Sequence, residues 1–168
     1  MLEPDYYYTS VYEIPFKELW EKKYRGLIFD LDNTLTEFDR ASAPPKVVAF
    51  LNRLKKMGFK VTLLTNNTTK RLDGFNKTLG LYGIANAAKP LTFGIKKAMH
   101  KMGTLPQHTI IIGDQVLSDI WGGKNAKITT ILVKPITERD FFFVKFKRHI
   151  EKLILKNYFA KINAQNDQ

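Results

Sequence analysis

Between Gly26 and Val133, short apolar runs rich in β-branched and aromatic residues alternate with longer stretches whose apolar residues recur at helical spacing. A chain patterned in this way folds most readily as βα units around a parallel sheet. Each strand is buried on both faces, and a crossover helix returns the chain to the next. The expected strands are Gly26 to Phe29, Lys60 to Leu64, a short stretch near Ile84 to Ala88, Thr109 to Ile112 and Ile128 to Val133. That makes a sheet of about five strands. Helices are expected from Pro44-Pro45 to Gly58, on Val47, Val48, Leu51 and Leu54, and from Thr68 to Leu79 with Gly80 as the stop. Two more are expected from Leu91 to Met102 and around Val116 to Gly122. No repeat, low-complexity tract or Gly/Ser linker breaks the pattern, so residues 1–168 read as one doubly wound α/β domain.

Composition narrows the chemistry. The chain has no cysteine, which excludes disulfides, cysteine-ligated zinc and every thiol mechanism. The opening MLEPDYYYTS lacks the basic and apolar regions of a secretion signal, and no apolar run approaches the ~18 residues of a membrane span. A cytoplasmic location is expected. A formal net charge of +11 favours contact with polyanions: RNA, an anionic membrane surface or phosphorylated substrates. Charge alone does not choose among these, and a merely solvated basic surface accounts for it as well.

Three of the apolar strands end abruptly in groups capable of catalysis: Asp30 and Asp32 after the first, Thr65 after the second, and Asp114 after Gly113. In open parallel sheets the carboxyl ends of the strands line the functional crevice, so these groups should meet, with Lys89 joining from the same edge. A cluster of acids repels itself unless a hard cation neutralises it, and oxygen ligands suit magnesium. Zinc is disfavoured, because His100, His108 and His149 are scattered and read as structural or surface residues. An ammonium, a hydroxyl and magnesium around a carboxylate suit phosphoryl transfer. Asp30 is then the nucleophile, and Asp32 protonates the leaving oxygen and later activates water. Thr65 binds phosphoryl oxygens and Lys89 offsets their charge. Asp114 holds the metal, and Asp119 completes its shell or fixes Lys89.

These residues, as Asp30-Leu31-Asp32-Asn33-Thr34, Thr65, Lys89-Pro90 and Gly113-Asp114 with Asp119, resemble in type and order the four motifs of the haloacid dehalogenase (HAD) superfamily. The resemblance implies a Rossmannoid sheet and a magnesium ligand set of Asp30, the backbone carbonyl of Asp32, Asp114 and Asp119. It also implies a phosphate-binding set of Thr65, Asn66 and Lys89. Receiver domains of response regulators gather similar groups, but their acidic pair and phosphorylated aspartate lie on separate strands and their lysine comes late. Neither GxxxxGK[ST] nor GxGxxG occurs, which removes the usual nucleotide cradles.

The segments from Asp32 to Asn66 and from Thr65 to Lys89 leave little room for a large cap domain, as in the capless type III enzymes of the superfamily. A lipid surface, another macromolecule or a neighbouring subunit of a homo-oligomer would then cover the crevice. Pro4-Asp5-Tyr6, Thr65-Asn66-Asn67, Ala88-Lys89-Pro90 and Gly113-Asp114-Gln115 resemble the YqeG-type branch of type IIIA. This branch is similar to phosphatases of phosphatidylglycerophosphate, which implies a membrane-lipid phosphate as substrate. From Phe141 to Tyr158 the chain reads as a basic amphipathic helix. Packing on the sheet is its stronger reading, and a place on an anionic membrane or on RNA the weaker one. Tyr6-Tyr7-Tyr8 reads as local packing, with no RNA-binding motif around it.

Overall fold

The computed structural model describes residues 2–38 and 40–137, together with Lys156 and Phe159. Six strands form one sheet in the order β1-β6-β5-β2-β3-β4, and every neighbouring pair is parallel. They are β1 (Tyr6–Tyr8), β2 (Gly26–Phe29), β3 (Lys60–Leu64), β4 (Tyr82–Ile84), β5 (Thr109–Gly113) and β6 (Thr129–Val133). The helices are α1 (Phe16–Glu21), α2 (Pro45–Lys56), α3 (Thr69–Asn76), α4 (Phe93–Met102) and α5 (Trp121–Asn125), the last preceded by a π-helical turn over Val116–Ile120. The sixth strand is the Tyr6–Tyr8 segment, which pairs along the edge with Ile131, Leu132 and Val133. The Phe141 to Tyr158 reading falls, Lys156 apart, outside the described residues.

Strand alternation divides the core in two. Leu27, Phe29, Ile110 and Ile112 meet α1, α2 and α3 through Phe16, Leu19, Phe50, Leu51, Leu54 and Phe75 on one face. The intervening Ile28 and Ile111 meet Ile95, Ala98, Met99 and Met102 of α4 on the other. The helices are bounded by local chemistry. Pro45 opens α2, and its last turn carries Arg53, Lys55 and Lys56, which complement the carbonyl end of the helix dipole. The Thr68 hydroxyl accepts from the Arg71 N–H and caps α3. Gly103 closes α4 in a left-handed conformation that favours glycine.

Strand order reverses beside β2: β3 and β4 lie on one side, and β5 and β6 on the other. Such a switch point opens a crevice at the carboxyl edge. Phe29 is in register with Leu63 and Ile112, so the residues that follow β2, β3 and β5 emerge together. Gly113 tightens this edge, because a Cβ placed there would collide with the Asp119 carboxyl group. Gly113→Ala is therefore expected to destabilise the protein by about 1–3 kcal/mol through overpacking. Chemical denaturation measures this, and an unchanged midpoint would show that the Gly113–Asp119 approach is looser than described.

Candidate active site

The turn after β2 builds the centre of the site. Asp30 N–H donates to the Ile112 carbonyl (2.9 Å), which extends the β2–β5 pairing by one residue. The chain then folds back through Asn33, whose positive φ of 62° asparagine tolerates better than most residues. Asn33 N–H reaches the Thr36 carbonyl at 2.7 Å, and Leu35 N–H the Leu31 carbonyl at 3.0 Å. This compact turn brings Thr34 back over Asp30. The Thr34 hydroxyl lies 3.3 Å from Asp30 Oδ2 and 3.2 Å from Asp114 Oδ1, joining the ends of β2 and β5.

Lys89 provides the positive centre. Its Nζ donates to Asp30 Oδ1 (2.6 Å), Asp119 Oδ1 (2.5 Å) and the Leu64 carbonyl (3.0 Å), which uses all three of its protons. The residue reaches this position because Asn66 clamps its backbone. Lys89 N–H donates to Asn66 Oδ1 (2.7 Å), and Asn66 Nδ2 donates to the Lys89 carbonyl (3.1 Å). The Asn66 side chain thus positions Lys89. The π-helical turn sets Asp119, whose Oδ2 accepts from the Gln115 N–H at 3.2 Å, while the Asp119 N–H donates to the Gln115 carbonyl. The Thr65 hydroxyl is buried beside them and accepts from the Asn67 N–H at 3.0 Å.

Asp32 sits nearer the surface and is held from α3. Arg71 Nε and Nη2 lie 3.0 and 2.9 Å from Asp32 Oδ1, and Asn67 Nδ2 donates to Oδ2 at 3.1 Å. The sequence reading missed Thr34, Asn67 and Arg71 as site residues. Thr34 closes the Asp30–Thr34 string and was detectable there. Arg71 stands 39 positions from its partner and carries no local signal. His100 lies exposed on α4, and His108 precedes β5 at the opposite edge of the sheet, so neither joins the site.

The electrostatics favour a cation. Carboxylate oxygens of buried Asp30, Asp114 and Asp119 all lie within 4.8 Å of one another. Three carboxylates against the single Lys89 ammonium leave an excess of two negative charges. Burial, then repulsion from Asp30 and Asp119, pushes Asp114 well above the usual carboxylate range. Burial pushes Asp119 up to about 6 despite Lys89. It also raises Asp32, against the pull of Arg71 and Asn67. Burial would depress Lys89, but Asp119 and Asp30 outweigh it and hold the ammonium charged. A divalent metal matches this donor set in charge and in its preference for oxygen.

A doubly wound parallel sheet with acids and a lysine gathered at its switch point suits phosphoryl chemistry, and similarity to known proteins identifies the class. The family model described as "Hydrolase: haloacid dehalogenase-like hydrolase" matches residues 37–127, beginning just after the Asp30–Thr34 turn. Probable phosphatase YqeG of Bacillus subtilis (strain 168) is 36% identical, over 90% of this chain and 88% of its own. Phosphatidylglycerophosphate phosphatase 1, chloroplastic/mitochondrial, of Arabidopsis thaliana is 22% identical over 88% of this chain, which spans 45% of that protein. In fold, the cobalt-bound deoxy-D-mannose-octulosonate 8-phosphate phosphatase of Haemophilus influenzae is similar with a TM-score of 0.53 at 16% identity. That match covers 80% of this chain and 89% of the other. The chain belongs to the haloacid dehalogenase-like hydrolases, and within them it is a phosphatase.

The charge excess makes a prediction for the metal-free protein. Asp119 has a folded value of about 6 against an ordinary 3.8, so between these values the folded state binds more protons than the unfolded one. The contribution of this group to stability is therefore greatest at the acid end of that window and is lost as pH rises through about 6. Chelator-treated protein is expected to melt higher at about pH 5 than at about pH 7, with added magnesium restoring stability at the higher pH. Melting curves with and without chelator measure this. A chelator-treated protein whose midpoint rises from pH 5 to 7 would contradict the assignment.

Proposed function

We propose that the chain is a magnesium-dependent phosphomonoester hydrolase working through an aspartyl-phosphate on Asp30, with phosphatidylglycerophosphate as its leading substrate. The observation that carries this is the buried Asp30 carboxylate, held by Lys89 and Thr34 within the Asp114 and Asp119 cluster at the switch point. Asp30, the Asp32 backbone carbonyl and Asp114 would hold magnesium, which would supply neutralisation of the phosphoryl oxygens. Asp119 either joins that shell or fixes Lys89, and its contacts with Lys89 and the Gln115 N–H favour the second role.

In the first half-reaction an Asp30 oxygen bonds to phosphorus as the ester P–O bond breaks, and the Asp32 carboxyl gives its proton to the leaving oxygen. In the second, Asp32 takes a proton from water, the water oxygen bonds to phosphorus, and the Asp30–phosphorus bond breaks to release phosphate. The role requires one Asp32 oxygen to leave Arg71 or Asn67 when substrate binds. Thr65, the Asn66 backbone and Lys89 would receive the transferring group, Lys89 through its charge because its three protons are already donated, and the Asn66 side chain is committed to the Lys89 backbone.

Similarity to the Arabidopsis enzyme supports the lipid phosphate, and the positive net charge suits an anionic surface reached from the cytoplasm. Residues 1–168 act as one domain in this reading. The test is phosphate release from phosphatidylglycerophosphate, nucleotides, sugar phosphates and an aryl phosphate, with and without magnesium. Asp30→Asn is expected to abolish turnover, and Asp32→Asn to lower it by about 10²–10⁴-fold. Turnover retained by Asp30→Asn would remove the phosphoenzyme. Preference for a soluble phosphate would reassign the substrate.

A further inference from the structure

The large apolar side chains left on the surface are unevenly placed. Among the described residues seven are exposed, and five of them follow the carboxyl ends of strands: Phe38, Leu91 and Ile136 in loops, Phe93 at the first position of α4 and Trp121 at the first position of α5. Leu105 lies at the opposite edge and Phe159 near the C-terminus. Four of the five are within a few positions of a site residue, and the fifth, Ile136, is tied to the Asn33 turn by a hydrogen bond. Leu91 and Phe93 follow Lys89, Trp121 follows Asp119, and the Ile136 N–H donates to the carbonyl of Asn33. Phe38 follows Glu37, whose carbonyl accepts from Arg71. The loops also touch. A Cβ at Gly122 would stand 3.4 Å from Pro90 Cα, so the chain beside Trp121 packs on the chain beside Leu91.

Burial elsewhere makes this rim unusual. Leu91 is 66% exposed and Phe93 76%, although Phe93 opens a helix whose Ile95, Ala98 and Met99 are buried. An amphipathic helix that points one phenylalanine outward at the lip of a cleft leaves apolar surface suited to a non-aqueous partner. Exposed cations stand on the same connections and the first turns of the helices that follow them: Arg40 and Lys134 in loops, Lys70 in the first turn of α3 and Lys96 in the first turn of α4. Against them stand exposed Asp73 and half-buried Glu37, the latter 3.6 Å from Arg40.

We propose that this rim, centred on Leu91, Phe93 and Trp121, is an interfacial docking surface that seats the cleft against a bilayer containing anionic phospholipid. Apolar side chains ringed by lysine and arginine are the combination such an interface recognises: the hydrocarbon boundary takes the first and the headgroup charge the second. Tryptophan suits the boundary itself, with an apolar body and a polar N–H. The inference deepens the lipid-phosphate reading and rests on it for its biological sense. In this arrangement the bilayer covers the crevice, and a phosphate presented at the headgroup level meets Asp30 without leaving the membrane. RNA would use the cations but has less need of exposed aliphatic and aromatic side chains, and a protein partner would use the apolar side chains but has less need of the surrounding cations.

The test is flotation of the full chain with phosphatidylcholine vesicles, with and without phosphatidylglycerol. Wild type is expected to float with the anionic vesicles, and the double variant Leu91→Ser/Phe93→Ser to partition about tenfold or more weakly. Hydrolysis of a soluble aryl phosphate should be the same in both, since neither residue belongs to the catalytic machinery. Trp121 emission should shift to the blue on vesicle binding, and that shift should disappear in Trp121→Phe, leaving the signal of Trp20. Failure of wild type to float would overturn the surface. So would flotation that the double variant retains in full, or binding that single-stranded RNA competes away and the apolar substitutions leave untouched. Vesicle binding is read without turnover, so an inactive wild type would sink the phosphatase mechanism while the docking surface was still judged by flotation.

Discussion

The ammonium of Lys89 between Asp30 and Asp119 is the interaction on which the rest of the site depends. All three groups are buried, and burying an unpaired charge costs several kcal/mol even after relaxation. Lys89 meets this by satisfying every proton it carries, on two carboxylates and the Leu64 carbonyl. Without it, three carboxylates would stand within 4.8 Å of one another with no fixed countercharge. Burial, and then the repulsion that remains even with Lys89 in place, makes Asp114 and Asp119 hold protons more tightly than ordinary aspartates. The imbalance is what a divalent cation relieves, so metal affinity and the strain on the apo protein have one origin.

The fold bears that cost through its topology. Four structural devices converge on one edge: the in-register ends of β2, β3 and β5, the Asn33 turn, the Asn66 clamp and the π-helical turn before α5. The strand ends are fixed by hydrophobic packing some distance from the charges, and the other three by hydrogen bonds. Leu27 and Phe29 anchor β2 on one face and Ile28 on the other, so Asp30 emerges from a strand that has little freedom to slide. Gly113 makes the same point at short range, because the absence of a side chain there is what lets Asp119 approach the end of β5.

How far the sequence discloses this depends on how local the cause is. β2, β3 and β5 are buried on both faces and read as unbroken apolar runs, so their polar ends stand out and Asp30, Thr65 and Asp114 could be placed at one edge. β1 carries no such signal. Its three tyrosines are only half-buried, and its partner β6 lies at the far end of the described chain. β4 falls at Tyr82–Ile84 rather than 84–88. Asn86 and Ala88 adopt positive φ, and Asn86 N–H bonds to the Asn67 carbonyl, which turns that stretch into a loop shaped around the site. Asn66 was legible as a site residue but not in its manner of acting, since its side-chain amide meets the Lys89 backbone 23 positions away. Arg71 was legible in neither respect.

The burial of the site groups is graded, and the gradient bears on what the enzyme can accept. Asp30, Lys89, Asp114 and Asp119 are sealed by the protein's own loops, while Asp32 is half-buried and Asn66 exposed at the mouth. On the proposed roles, the bond-forming side of the reaction is kept dry and the leaving-group side faces outward. A capped enzyme dries the leaving-group side by closing a domain over a small substrate; among the described residues no such domain stands beside the exposed Leu91 and Phe93 at the lip of the cleft. On the proposed roles, such geometry leaves room for a large leaving group, and whatever carries that group would supply the water exclusion there. A phosphate anchored in a bilayer brings its own low-dielectric surroundings, which strengthens the same electrostatic contacts that a closing lid would strengthen elsewhere.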